Sequence, residues 1–155
     1  NRDEVVGITL KIAETDLLCY RAGEPADLVA RQQESWQPEL DWAKQELSAE
    51  FTVTVGVLPI NQPENALQAL QTALTELDDF QLMGVSNAAA AAGSLILALG
   101  MQRGRINAVA MFEKSVLEEK YQMEIWGEDQ EILERHERVR ADIEDLAKFL
   151  ELLAS

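Results

Sequence analysis

Seven residues near the C-terminus, Ile132, His136, Val139, Ile143, Leu146, Leu150 and Leu153, are spaced alternately four and three apart. On a helix this spacing draws one continuous, mostly apolar seam, and such a seam is stable only when a neighbouring helix covers it. The chain is thereby committed to helix-on-helix packing. Three more segments carry the same period. Val29, Gln32, Trp36, Leu40, Ala43 and Leu47 predict a helix over 26–49, with Pro25 in its first turn and Pro38 as an interior kink or division. Leu67, Leu70, Leu74 and Leu77 predict a second after Pro63, and Ile106 to Trp126 reads as a third after Gly104.

The longest apolar run, Val85 to Met101, is interrupted by Ser86, Asn87, Gly93, Ser94 and Gly100. It is shorter than the roughly 20 apolar residues a membrane span needs, so it reads as a helix buried nearly all round. It lies inside a stretch, positions 45 to 102, that contains no Lys or Arg at all, which marks the middle of the core. Only Phe51 to Leu58 looks like a strand, with β-branched residues alternating before Gly56 and Pro59. The fold class expected is mainly α, a multihelical domain of five to seven helices with at most one small β element. A length of 155 residues suits a single helical domain, residues 1–155.

Charge narrows the function. The formal net charge is −15, with 47% of residues hydrophobic, so the chain folds but repels phosphate backbones and anionic lipid. Nucleic-acid binding and membrane insertion are not expected. Cys19 is the only cysteine and His136 the only histidine, which excludes an intrachain disulfide and a Cys/His zinc site. His136 sits on the apolar seam and reads as a structural or interfacial residue, Cys19 as a buried thiol. No phosphate-binding glycine loop, Gly-x-Ser-x-Gly elbow or pair of Glu-x-x-His elements occurs. No cofactor, metal or catalytic residue is expected, and the chain is read as no enzyme.

The segment from Ser115 to Asp129 asks for a different explanation. If Ile106–Trp126 is one continuous helix, Ser115, Glu119, Gln122 and Trp126 share a narrow arc beside the stripe of Val109, Phe112, Val116 and Met123. This is either a solvated acidic face that Trp126 and Gly127 close, or a recognition patch, since Trp is enriched at binding hot spots and an acidic rim selects basic partners. Trp36 lies on an apolar stripe and reads as core. Trp42 points elsewhere, under the proline-rich loop or toward a partner.

Several ordered elements carry a resemblance. They are Asp16-Leu-Leu-Cys-Tyr-Arg21, Leu28-Val-Ala-Arg-Gln32, Trp36-Gln-Pro-Glu-Leu-Asp-Trp42, Gln62-Pro63, Gly93-Ser-Leu-Ile-Leu-Ala-Leu99, Glu118-Glu-Lys-Tyr-Gln122 and Trp126-Gly-Glu128. From about Asp16 to about Glu131 the series resembles ATP synthase assembly factor two, the chaperone family that holds the α subunit of the ATP synthase catalytic head. Gln37 departs from the pattern, where an Asp before Pro38 is expected.

The resemblance implies a non-enzymatic role: binding the free α subunit and preventing its aggregation until it assembles with the β subunit. It also implies that this chain is the C-terminal part of a longer protein whose N-terminal α/β domain is absent. Carried onto this sequence, it makes Glu118, Glu119, Gln122, Trp126 and Gly127 the candidate partner-binding residues. Composition points to a bacterial cytoplasm, with the mitochondrial matrix as the alternative. Two other readings stay open: a helical adaptor or oligomerisation module using the seam Ile132–Leu153, and an enzyme using Glu118 and Glu119 as acid and base, for which no second catalytic group is identifiable.

Overall fold

Every residue from Leu95 to Met101 is buried, so the short helix they form is the axis around which the molecule is built. Burying one leucine side chain contributes about 1.5–3 kcal/mol, and Leu95, Leu97 and Leu99 are all fully enclosed. The computed structural model describes residues 1–154. Among them are eight α-helices: α1 (Arg2–Glu14), α2 (Ala26–Leu47), α3 (Glu64–Thr75), α4 (Asp79–Ala92), α5 (Leu95–Gln102), α6 (Ala108–Ser115), α7 (Leu117–Trp126) and α8 (Gln130–Ala154). Helix α4 packs on α5, α8 and α1, α6 packs on α8, and α2 touches both α5 and α7. The mainly α fold expected from periodicity is what forms, with one small β element.

Helix count and boundaries differ from the sequence expectation in ways that residue chemistry explains. Val85–Met101 is two helices. Gly93 adopts φ +74°, a left-handed conformation open to glycine at little cost, and its N–H closes α4 on the Ala89 carbonyl. Ser94 then starts α5, its hydroxyl accepting from the Leu97 N–H at 3.1 Å. Ile106–Trp126 is also divided, into α6 and α7, at Val116 with φ −113° and ψ 11°. Helix α1 lies outside all the predicted stripes. Asn1 caps it through the Glu4 N–H, and only Val6, Thr9 and Ala13 are buried along it, a narrow face that mixes polar with apolar residues. Pro38 does not divide α2, which runs unbroken through it.

The predicted strand contracts to Thr54–Val55, β2, which pairs in parallel with Tyr20–Arg21, β1. The Gln62 side chain takes over the backbone groups next to it, accepting from the Thr52 N–H at 2.7 Å and donating to the Thr52 carbonyl at 2.9 Å. Gly56, at φ +105°, then turns the chain away from a longer ladder. Val29 and Val109, both assigned to apolar stripes, are exposed.

Trp36 is core as expected. Its indole is enclosed and donates to the Lys114 carbonyl at 2.9 Å, tying α2 to α6. Trp42 is half-buried against the core. The C-terminal seam is spent inside the molecule: His136, Ile143 and Leu150 are buried, and Val139, Leu146 and Leu153 pack on the same core. An adaptor using that seam would have no free surface to offer, so that alternative loses its footing. Contact between α4 and α8 is close, since a Cβ on Gly84 would lie 2.8 Å from Leu150 Cδ2.

A buried carboxylate organises the centre. Asp16 has no exposure, and its Oδ1 accepts from the Leu18 N–H at 3.1 Å. Its Oδ2 accepts from the Ile96 N–H at 3.2 Å, in the first turn of α5. One side chain thus serves the 3-10 turn Leu17–Cys19 and the start of the central helix, where the helix dipole favours negative charge. Burial pushes its carboxyl up to about 6, and hydrogen bonds from Ser94 and from the Leu18 and Ile96 N–H groups restrain the rise. Cys19 is the buried thiol expected, pushed up to about 12 by burial and by the neighbouring Asp16.

Candidate functional site: the outer face of helix 7

The break at Val116 decides what α7 presents. Val116 has no capping side chain, and the backbone bends there while Lys120 N–H still reaches the Val116 carbonyl at 2.9 Å. Ser115 consequently stays with α6 and returns its hydroxyl to the Phe112 carbonyl at 2.7 Å, outside the arc expected for one continuous helix. Within α7 the spacing i, i+4, i+7 sets Glu118, Gln122 and Ile125 on one side, and Trp126 adjoins Gln122. Gln122 is exposed, Glu118 is half-buried, Ile125 is 58% exposed and Trp126 is 85% exposed. Gly127 ends the helix at φ +98°.

Two ties fix the helix at its flanks. On one side Glu119 accepts from Arg135 and approaches His136 Nε2 at 3.0 Å, both on α8. His136 is 5% exposed and lies edge-on to the Phe112 ring, with centroids 6.1 Å apart. It is the structural histidine that the seam predicts. Partial burial alone would raise the Glu119 carboxyl; the bonds to His136 and Arg135 outweigh it and hold the group below the ordinary carboxylate range. On the other side Arg31 of α2 forks onto Glu124 at 2.5 and 3.3 Å, and its guanidinium lies 4.9 Å from the centroid of the Tyr121 ring. Lys120 pairs with Glu113 at 2.8 Å and sits over Phe112.

The five candidates thus divide. Glu118, Gln122, Trp126 and Gly127 face outward, whereas Glu119 lies at the edge and is committed to α8. Ile125 belongs to the same outer face, although it is not among the candidates; its apolar side chain next to Trp126 in an otherwise acidic segment is the available signal. Arg31, Arg135 and His136 support the face from other elements. The arrangement offers an exposed apolar tip, Ile125 and Trp126, at the end of an acidic helix, with Glu128 exposed just beyond it. No catalytic constellation surrounds it: Glu118 pairs with no titratable group among the described residues, and Glu119 is held ionised. Among the described residues, no group of three or more His, Cys, Asp or Glu could hold a metal, and no helix is long and apolar enough to cross a membrane.

Residues 1–44 match the family model described as ATP12 chaperone protein. The fold is similar to that of Atp12 from Paracoccus denitrificans at 37% identity and a TM-score of 0.93, covering 97% of this chain and 64% of that one. A mutant of the same Paracoccus protein gives a TM-score of 0.94 at the same identity and coverage. The Atu1473 protein of Agrobacterium tumefaciens is 36% identical with a TM-score of 0.88, over 99% of this chain and 57% of that one. The chain therefore spans about three-fifths of the length of these relatives, and the likeness extends beyond the Asp16–Glu131 range to both of its ends.

Proposed function

Because the chain belongs with the ATP12 chaperones in sequence and fold, we propose that it is an assembly chaperone of the ATP synthase, not an enzyme, and that its client is the α subunit of the catalytic head. The single observation that carries the reading to a surface is the exposed end of the acidic helix α7, where Trp126 is 85% exposed. A holding chaperone must cover a client interface yet release it, and acidic groups around an apolar centre favour fast, salt-sensitive capture of a basic surface more than they add affinity. Glu118, Glu119, Gln122, Trp126 and Gly127 form or support that surface. The bacterial relatives favour a bacterial cytoplasm as its compartment.

The test is co-expression of the chain with the ATP synthase α subunit. The expected outcome is a higher soluble yield of that subunit, and co-purification that weakens as salt rises. An unchanged yield, with no co-purification at low salt, would refute the assignment.

A further inference from the structure

The carboxylates around α7 are of two kinds. Glu119 and Glu124 already have partners within this chain, the Arg135 guanidinium with the His136 ring nitrogen for the first and Arg31 for the second. Glu118 and Glu128 pair with no cation among the described residues; the half-buried Glu118 lies on the same side of α7 as Ile125, two turns earlier, and the exposed Glu128 lies two residues beyond Trp126. Those two apolar side chains are adjacent, 58% and 85% exposed, and carried on a helix end that is braced on both sides. A rigid aromatic anchor with a rim of unpaired charge is the pattern of a hot spot waiting for a pocket. Resting on the chaperone role, we propose that the α7 tip is a plug: Ile125 and Trp126 insert into an apolar slot of the client whose rim carries lysine or arginine. Glu119 is a positioning residue that sets the plug through α8 and makes no client contact. The net charge of −15 disfavours a second copy of this chain as the occupant.

The experiment measures capture of the isolated ATP synthase α subunit by the wild-type chain and by variants at low and moderate salt. Trp126→Ala is expected to lower affinity about 30-fold or more, the hot-spot range, and its exposure makes unfolding no concern. Ile125→Ala gives a smaller loss. Glu118→Lys combined with Glu128→Lys slows association and flattens the salt dependence. Glu119→Gln and His136→Gln each weaken capture in the wild-type background but add nothing on top of Trp126→Ala, which separates positioning from direct contact.

If the wild type captures the subunit and Trp126→Ala binds within twofold of it, the plug is wrong while the chaperone reading stands. If the wild type captures nothing, both fall. Equal losses from Glu119→Gln in the two backgrounds make Glu119 an independent contact and overturn its positioning role. Loss of self-association in place of client capture assigns the tip to a second copy and overturns the proposal.

Discussion

Asp16 and Glu119 are both carboxylates that join segments distant in the chain, and they respond to their surroundings in opposite directions. Asp16 is wholly enclosed with no cation beside it; its partners are backbone N–H groups and a hydroxyl, and burial lifts its carboxyl to about 6. Glu119, with its side chain 38% exposed, meets Arg135 and His136, and its carboxyl falls below the usual range. The first holds the core together by satisfying donors that would otherwise be orphaned; the second sets the orientation of a surface helix. An unsatisfied buried donor costs on the order of 1–3 kcal/mol, whereas an exposed ion pair is worth ~0–1 kcal/mol. Stability should therefore follow Asp16, and recognition should follow Glu119.

The strongest way to break that contrast is Asp16→Ala, which strips acceptors from the 3-10 turn and from the first turn of α5 at once. A loss of about 3 kcal/mol is expected in denaturant unfolding, from two stranded donors. A loss under 1 kcal/mol would show that the hub is dispensable.

Titration gives the next largest effect, with opposite signs at the two sites. Because the folded pKa of Asp16 is raised, its stabilisation is complete below its ordinary value of 3.8 and is lost as pH rises through about 6. That swing is at most about 3 kcal/mol. Because the folded pKa of Glu119 is lowered, its contribution is present above 4.5 and disappears as pH falls through the depressed value. In unfolding curves taken from pH 3 to pH 7, Asp16→Asn should remove the decline between roughly pH 4 and 6 and leave the acid limb alone. Glu119→Gln should do the reverse, and identical profiles for the two variants would contradict the assignment.

The smallest effect sharpens the comparison. At neutral pH and moderate salt, Glu119→Gln should cost less than about 1 kcal/mol, since a half-exposed pair is screened by solvent. A larger cost would mean that α7 and α8 depend on this tie for folding as well as for orientation.

Much of the architecture can be read in the residues alone because it follows from period. The stripe ending at Leu47, the leucines from Leu67 to Leu74 and the seam from Ile132 to Leu153 each name a buried face, with Val29 exposed at the start of the first. The Gly93-Ser94 break carries a readable signal, a left-handed glycine followed by a capping hydroxyl, although the surrounding apolar run masks it. The Val116 break carries none. Valine is not a capping residue, so the way α7 turns relative to α6, and with it the departure of Ser115 from the arc, comes only from packing. The pairing of Glu119 with His136 is equally hidden, because it depends on how α7 and α8 meet and on no spacing within either.

The molecule also carries an optical contrast of its own. Trp36, 1% exposed, should emit from an enclosed setting, Trp126, 85% exposed, from water, and the half-buried Trp42 between the two. Anything that covers the end of α7 draws the emission of Trp126 toward shorter wavelength and leaves Trp36 unchanged. Unfolding moves Trp36 the other way. In a Trp42→Phe background, one unlabelled spectrum can thus tell occupation of the surface from collapse of the interior.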